Sequence, residues 1–212
     1  VLKHVQTKRG LEARKIPIDQ NHKFVRRIFY RGSWELGGRF HGGFWQQVGS
    51  DLRRDILINE HRTVEVDYKG MHVSIACALE GFELKLDPYA VPLMLPDFTE
   101  VAQREVVKGL VLMAINAQTL AKAYSAFRGG EKTGSKAKQL KNLQLQALLE
   151  AVIKRVPVLE KYIGRDKGVE LMRIDGEITS QIINHFTSKK IPVLSVHDSY
   201  IIAADKDHEL TE

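Results

Sequence analysis

Two aspartates, Asp67 and Asp198, each stand where an apolar, β-branched run gives out. The first closes Thr63-Val-Glu-Val-Asp67 and is followed by Tyr68-Lys-Gly. The second follows Val193-Leu-Ser-Val-His197 and leads into Ser199-Tyr-Ile-Ile. Runs of this kind read as strands, so each carboxylate is expected at a strand end. Two carboxylates from separate strands can hold two Mg²⁺ ions, which activate a hydroxyl and stabilise the departing oxygen in phosphoryl transfer. The pattern points towards nucleotidyl transfer. Taken alone, it is also what two strands ending in turn-favouring residues would give.

Further along, Arg104 and Lys108 are four residues apart and so share one face of a helix. Arg can grip phosphate oxygens through its fork and Lys acts as a point charge, which suits a triphosphate. A surface pair beside Glu105 is the structural alternative. Arg39 lies between Gly38 and Phe40, where a backbone without a bulky neighbour can approach a ligand closely. Trp34, Phe40, Phe44 and Trp45 are either base-stacking rings or core fillers. Two other motifs fail. Glu131 stands where a P-loop needs Gly before Lys132, and Asp175-Gly-Glu177 is too short for a calcium loop.

The elements that must position these residues follow from periodicity. Residues 1–22 show no sustained period and read as an extended or partly ordered basic arm, and 23–30 as a short helix or strand. The Gly-rich 31–45 reads as a loop or irregular ribbon. Strand candidates at 56–59 and 63–66 form a hairpin, and a helix then runs to Leu79 and closes at Gly81. A long helix is expected from Thr99 to about Phe127, a flexible connector over 128–136, and further helices over 137–155 and 168–188. Two strands, 191–196 and 200–203, flank the turn at His197-Asp198-Ser199. Strands at both ends of a helical middle give an α+β class, with a small antiparallel sheet completed by distant segments.

At 212 residues, 43% hydrophobic and 27% charged, the chain fits a single soluble domain or a compact core with one inserted lobe. No stretch has the length of a membrane span and no signal peptide opens it, so no membrane partner is expected. One cysteine, Cys77, excludes an internal disulfide, and with eight scattered histidines it forms no zinc constellation. The expected location is cytoplasmic, in a nucleoid or a phage or mobile-element setting. The net charge of +6 is concentrated in residues 1–31, which carry nine Lys or Arg against Glu12 and Asp19. That arm suits a polyanionic partner.

As an ordered set, these segments resemble the polymerase core of family A DNA polymerases and the related single-subunit phage-type RNA polymerases. Gly38-Arg39-Phe40, with Gln46, Gln47, Arg53 and Arg54 after it, is similar to the Gly-Arg region ahead of the first catalytic motif. Glu65-Val-Asp67-Tyr68 is similar to that motif, Arg104-x₃-Lys108 to the start of the fingers helix, and Val196-His197-Asp198-Ser199 to the third motif. The resemblance implies a small antiparallel palm sheet with inserted fingers-like helices. Residues 32–212 would form the core, with the fingers-like part at about 97–165, preceded by the basic arm 1–31.

It also implies template-directed addition of dNTPs to a primer 3′-hydroxyl, with two Mg²⁺ ions (or Mn²⁺) on Asp67, Asp198 and the Tyr68 backbone. Arg104, Lys108, His72 and Asn116 would contact the nucleotide. Arg39, Gln46, Gln47, Arg53 and His197 would contact the primer-template. Ser199, where the DNA enzymes carry Glu, and the segment Arg173-Ile-Asp175-Gly176 are similar to the RNA enzymes, which makes RNA or primase-like synthesis the alternative. His72 stands where the DNA enzymes use Glu to exclude a ribose, and Asn116-Ala117 replaces a Tyr-Gly pair; a non-catalytic nucleic-acid-binding relic is the third reading. The chain is short for a full thumb, so a partner protein that supplies grip is expected.

Overall fold

The computed structural model describes residues 2–7, 10–15 and 17–211, with side chains described from residue 17 to residue 210. The chain forms β1 (Leu2–Thr7), β2 (Gly10–Lys15), β3 (Arg26–Tyr30), β4 (Ser33–His41), α1 (Ser50–Arg53), β5 (Leu57–Ile58) and β6 (His61–Asp67). Next come α2 (Met71–Leu79), α3 (Glu100–Asn116), α4 (Leu120–Gly130), α5 (Asn142–Arg155) and α6 (Gly168–Ser188). It ends in β7 (Val193–Val196), β8 (Ser199–Ala203) and α7 (His208–Thr211). The class is α+β, with small antiparallel sheets. Two compact units divide it. One gathers the described residues up to Trp34, 38–69 and 176 onward; the other holds 35–37 and 70–175.

The first unit is built on a four-stranded antiparallel sheet in the order β5-β6-β8-β7. Its centre is β8, Ser-Tyr-Ile-Ile-Ala, which is buried at every position. Side chains alternate between faces along a strand, so Tyr200 and Ile202 point one way and Ile201 the other. Tyr200 and Ile202 pack with Phe186 and Leu210, against Val64, Val66 and Ile182. Thr179, Ile182 and Phe186 recur at helical spacing, and α6 thereby covers this face, with a Thr179–Tyr200 hydroxyl bond of 2.8 Å. On the opposite face Ile201 packs with Trp45 and Val196. The hairpin expected over 56–66 is present: β5 and β6 are joined by Asn59 and Glu60, both in the left-handed region at φ 51° and 69°.

The amino-terminal end is more regular than its sequence pattern suggests. Within the segment expected to be extended or partly ordered, Leu2–Thr7 pairs antiparallel with Gly10–Lys15, its His-Val-Gln-Thr alternation being too short to register as a strand pattern. Lys8 and Arg9 of the basic run lie outside the described residues. The alternatives left open over 23–45 resolve to strands: β3 lies within 23–30 and pairs with β4 of the Gly-rich segment as a ribbon, turned by Arg31 and Gly32 at φ 53° and 66°.

The second unit is helical around Val107, Leu110, Val111, Leu145, Leu148 and Leu159. The helix expected from Thr99 to Phe127 is two helices. Ala117 is extended (ψ 145°), Thr119 caps α4 through Lys122 N at 3.3 Å, and the Ala114 and Ala117 carbonyls accept from Gly164 N and Asp166 N. Those caps satisfy groups that a continuous helix would pair internally, which is why the apolar period runs on across a break. Gln103, 1% exposed, pins the 91–95 loop through Met94 N, Leu95 N and Pro92 O.

Candidate active site

β6 and β8 bring the two aspartates together. In their antiparallel register Val66 faces Tyr200 and Asp67 faces Ser199, the residue after Asp198. Beyond the last rung, Tyr68 N donates to the Asp198 carbonyl at 3.0 Å. Asp67 is exposed and Asp198 half-buried. Both line one cleft of about 540 Å³, together with His197, Glu65, Arg53 and Gln46. Among the described residues, neither aspartate side chain is engaged in an ion pair. Two carboxylates at neighbouring strand ends, neither ion-paired among the described residues, have the oxygen chemistry that a hard cation prefers.

The turn that presents Asp198 is strained. Val196 pairs with Ser199, leaving His197 and Asp198 as a two-residue hairpin connection, and His197 has φ 54°. Such turns favour Gly or Asn, and the left-handed region costs another residue about 1–2 kcal/mol. Strain held at a cleft marks a candidate functional position. The His197 ring meets His41 edge-on, with centroids 5.7 Å apart. Burial pushes His41 below its usual 6.5, and the charges of His197, Arg39 and Arg26 push the same way. Arg39, half-buried on β4, thus contributes to a cation-rich edge beside a neutral imidazole.

Glu65 was not among the expected site residues. It lies two before Asp67, on the same strand face, and alternation could have revealed it. Arg53 grips it bidentately, Nε to Oε2 at 2.9 Å and a terminal nitrogen to Oε1 at 2.8 Å. The other terminal nitrogen of Arg53 donates to Val48 O at 3.3 Å, and Ser199 Oγ donates to Glu65 Oε1 at 2.6 Å. Arg53 and Ser199 are therefore both committed within the protein. Gln46 is committed likewise: its amide donates to Phe40 O and Ser195 O and accepts from Gly42 N. With the Trp45 indole donating to Ser195 O at 2.9 Å, it ties the segment before α1 to β7. Gln47 follows, its N–H donating to Phe44 O at 3.0 Å.

Burial pushes the Glu65 carboxyl up, but the hydrogen bonds from Arg53 and Ser199 and the Arg53 charge outweigh it, holding the group below its usual 4.5. Its stabilising contribution is complete above the unfolded-state value and is lost as pH falls through the lower folded-state value. Glu65→Gln should therefore flatten the acid limb of thermal stability below about pH 5, by at most about 1.4 kcal/mol per pH unit. Melting curves from pH 6 to pH 3 check this; an unchanged slope would remove Glu65 from the acid response.

In the second unit, Arg104 on α3 is paired with Asp87 (Nε to Oδ2, 2.5 Å) and Glu105 (2.7 Å), and lies over the Tyr89 ring. Lys108, one turn on, is exposed. His72 is 8% exposed in the first turn of α2. Asn116 ends α3, its Nδ2 donating back to Leu112 O at 2.8 Å. A Cβ at Gly168 would lie 1.9 Å from Asn116 Oδ1, so Asn116 packs directly against the start of α6 and its side chain would have to turn away from any larger residue there.

No family model, curated protein or solved structure matches the chain. The functional reading therefore rests on the strand-end geometry. Among the described residues no group of three or more His, Cys, Asp or Glu is placed to hold a metal, and no helix is long and apolar enough to cross a membrane. A two-carboxylate site still suits Mg²⁺, which keeps several waters and takes its remaining ligands from substrate phosphates.

Proposed function

We propose that the chain is a template-directed nucleotidyltransferase with a polymerase-like palm, adding dNTPs to a primer 3′-hydroxyl. The observation that supports this most is the pair of carboxylates, Asp67 and Asp198, adjacent in one cleft and without an ion-pair partner among the described residues. Asp67, Asp198 and the Tyr68 carbonyl would hold the Mg²⁺ pair. When bound, the ions supply Lewis acidity at the attacking hydroxyl and the leaving oxygen. The chain's own residues orient the reactants. The strained His197 turn fixes Asp198 against the end of β6, and the Arg53–Glu65–Ser199 network holds that end in register. His197 and Arg39 would present polar and cationic groups to a primer-template, and Lys108, exposed on α3, would provide charge for a triphosphate, whereas Arg104 would have to exchange its Asp87 and Glu105 partners to do so.

The test is extension of a labelled primer on DNA and RNA templates, with dNTPs and NTPs in parallel and with Mg²⁺ or Mn²⁺. Incorporation of dNTPs on DNA is the expected result; incorporation of NTPs alone would move the assignment to RNA synthesis. Binding without incorporation of either would overturn it. Lys108→Ala should raise the nucleotide KM about 10-fold, since a charged hydrogen bond is worth roughly 1.5–3 kcal/mol, with a smaller change in kcat. Steady-state kinetics with varied dNTP check that split.

A further inference from the structure

The β3–β4 ribbon carries an exposed tryptophan on a cationic frame, a combination that the aspartate cleft does not use. Trp34 is 75% exposed, although tryptophan is normally among the most covered side chains. It is nonetheless held in place. Its ring meets Phe29 at 4.8 Å and 75°, and the Arg27 guanidinium lies 4.9 Å over the other end of the series, on Phe29. Arg27 is in turn anchored to Glu177 at 2.7 Å and to Gly38 O at 2.8 Å. A ladder of contacts from Arg27 through Phe29 therefore presents Trp34, whose side chain has only two torsions to order on binding.

Cations outnumber acids around it. Lys23, Arg26 and Arg31 are exposed on and just before the ribbon, Arg31 at its turn, against Glu35 on β4 and Glu177, which pairs with Arg27. Aromatic faces interleaved with cations bind single-stranded nucleic acid, because every base has a π-face and every linkage a phosphate. A duplex hides its base faces and offers only the phosphates.

We infer that the β3–β4 ribbon binds single-stranded nucleic acid, with a base stacked on Trp34 and neighbouring phosphates held by Arg31 and Arg26. The inference deepens the polymerase reading by naming where an unpaired strand is held, and it rests on that reading only for the choice of polyanion. It does not depend on the aspartates.

The experiment is titration of the whole chain into a fluorescein-labelled oligodeoxythymidylate of about 12 nucleotides, a length within the range of single-strand site sizes, with affinity read by anisotropy of the label and tryptophan fluorescence followed in parallel. Trp45 is only 4% exposed, so Trp34 is the accessible reporter. Quenching is expected in the parent chain and in Asp67→Asn. Trp34→Ala should weaken binding about 5- to 150-fold by anisotropy, the span of one base–aromatic stack, whereas Trp34→Phe should keep most of the affinity. Unchanged affinity in Trp34→Ala overturns the proposal. So does equal Trp34 dependence with a blunt duplex of the same length, or a quench that heparin reproduces, which would mark a surface for acidic polymers in general, acidic proteins included. Extension lost with quenching intact would refute the catalytic reading alone; quenching absent with extension intact would refute the ribbon alone.

Discussion

Asp67→Asn and Asp198→Asn are each expected to lower primer extension by at least about 10³-fold, roughly 4 kcal/mol in the barrier, with the fold intact. The size follows from what each carboxylate contributes. Neither side chain is committed to an ion pair among the described residues, so its charge is available to cations at the end of the sheet. For the same reason the substitutions should not unfold the protein. Asp67 is exposed, and Asn is a favoured residue in the turn that holds Asp198. Thermal stability should stay within about 1 kcal/mol of the parent or rise slightly as like charges are removed. The double variant should be no worse than either single one, since residues that act as a unit are not additive. Single-turnover extension read beside a melting curve separates the two effects. Extension that survives both substitutions would remove the aspartates from catalysis.

Gly176→Ala is expected to destabilise the protein by about 2 kcal/mol, or roughly 4–8 °C in Tm for a chain of this size. A Cβ at Gly176, on α6, would lie 2.2 Å from the Gly38 carbonyl oxygen and 2.8 Å from its carbon. Those are backbone atoms, and the oxygen already accepts from Arg27 Nε, so relief requires moving β4 or α6. The helix interior pulls the other way, because Ala is preferred over Gly there by up to about 1 kcal/mol. Gly129→Ala on α4 isolates that second effect. Nothing lies within 4 Å of its Cβ position, so it should gain stability by up to about that amount. Opposite signs in the two variants are expected; a gain in both would mean that α6 and β4 separate at little cost. Because Arg39 follows Gly38 directly, Gly176→Ala should also weaken primer-template binding, measurable as a raised Kd.

The residues that repeat a period were legible in the sequence. The run Val193-Leu-Ser-Val and the alternation Val64, Val66 announce strands, and α6 emerged over its full length, because burial against one neighbour imposes a period on any chain. The two aspartates were legible for the same reason, as polar stops to apolar runs. The break between α3 and α4 was not legible. It depends on the Thr119 cap and on carbonyls satisfied by Gly164 and Asp166, some fifty residues away, while the apolar spacing continues unbroken. The β1–β2 pairing was missed because short, charged strands carry little alternation.

Sequence by itself determined the composition of the candidate site: two carboxylates at strand ends, a histidine beside one, and Arg53 ahead of the first. Only the tertiary structure decided which of these groups are already engaged. Arg53, Gln46 and Ser199 spend their hydrogen bonds inside the fold, on Glu65, Ser195 and neighbouring backbone, whereas Asp67 and Asp198 do not. Partner choice among polar groups is settled by antiparallel register and by contacts across more than a hundred residues of chain, such as Ser199 with Glu65. A local pattern specifies what a strand buries; only the register between distant strands specifies what its polar ends meet.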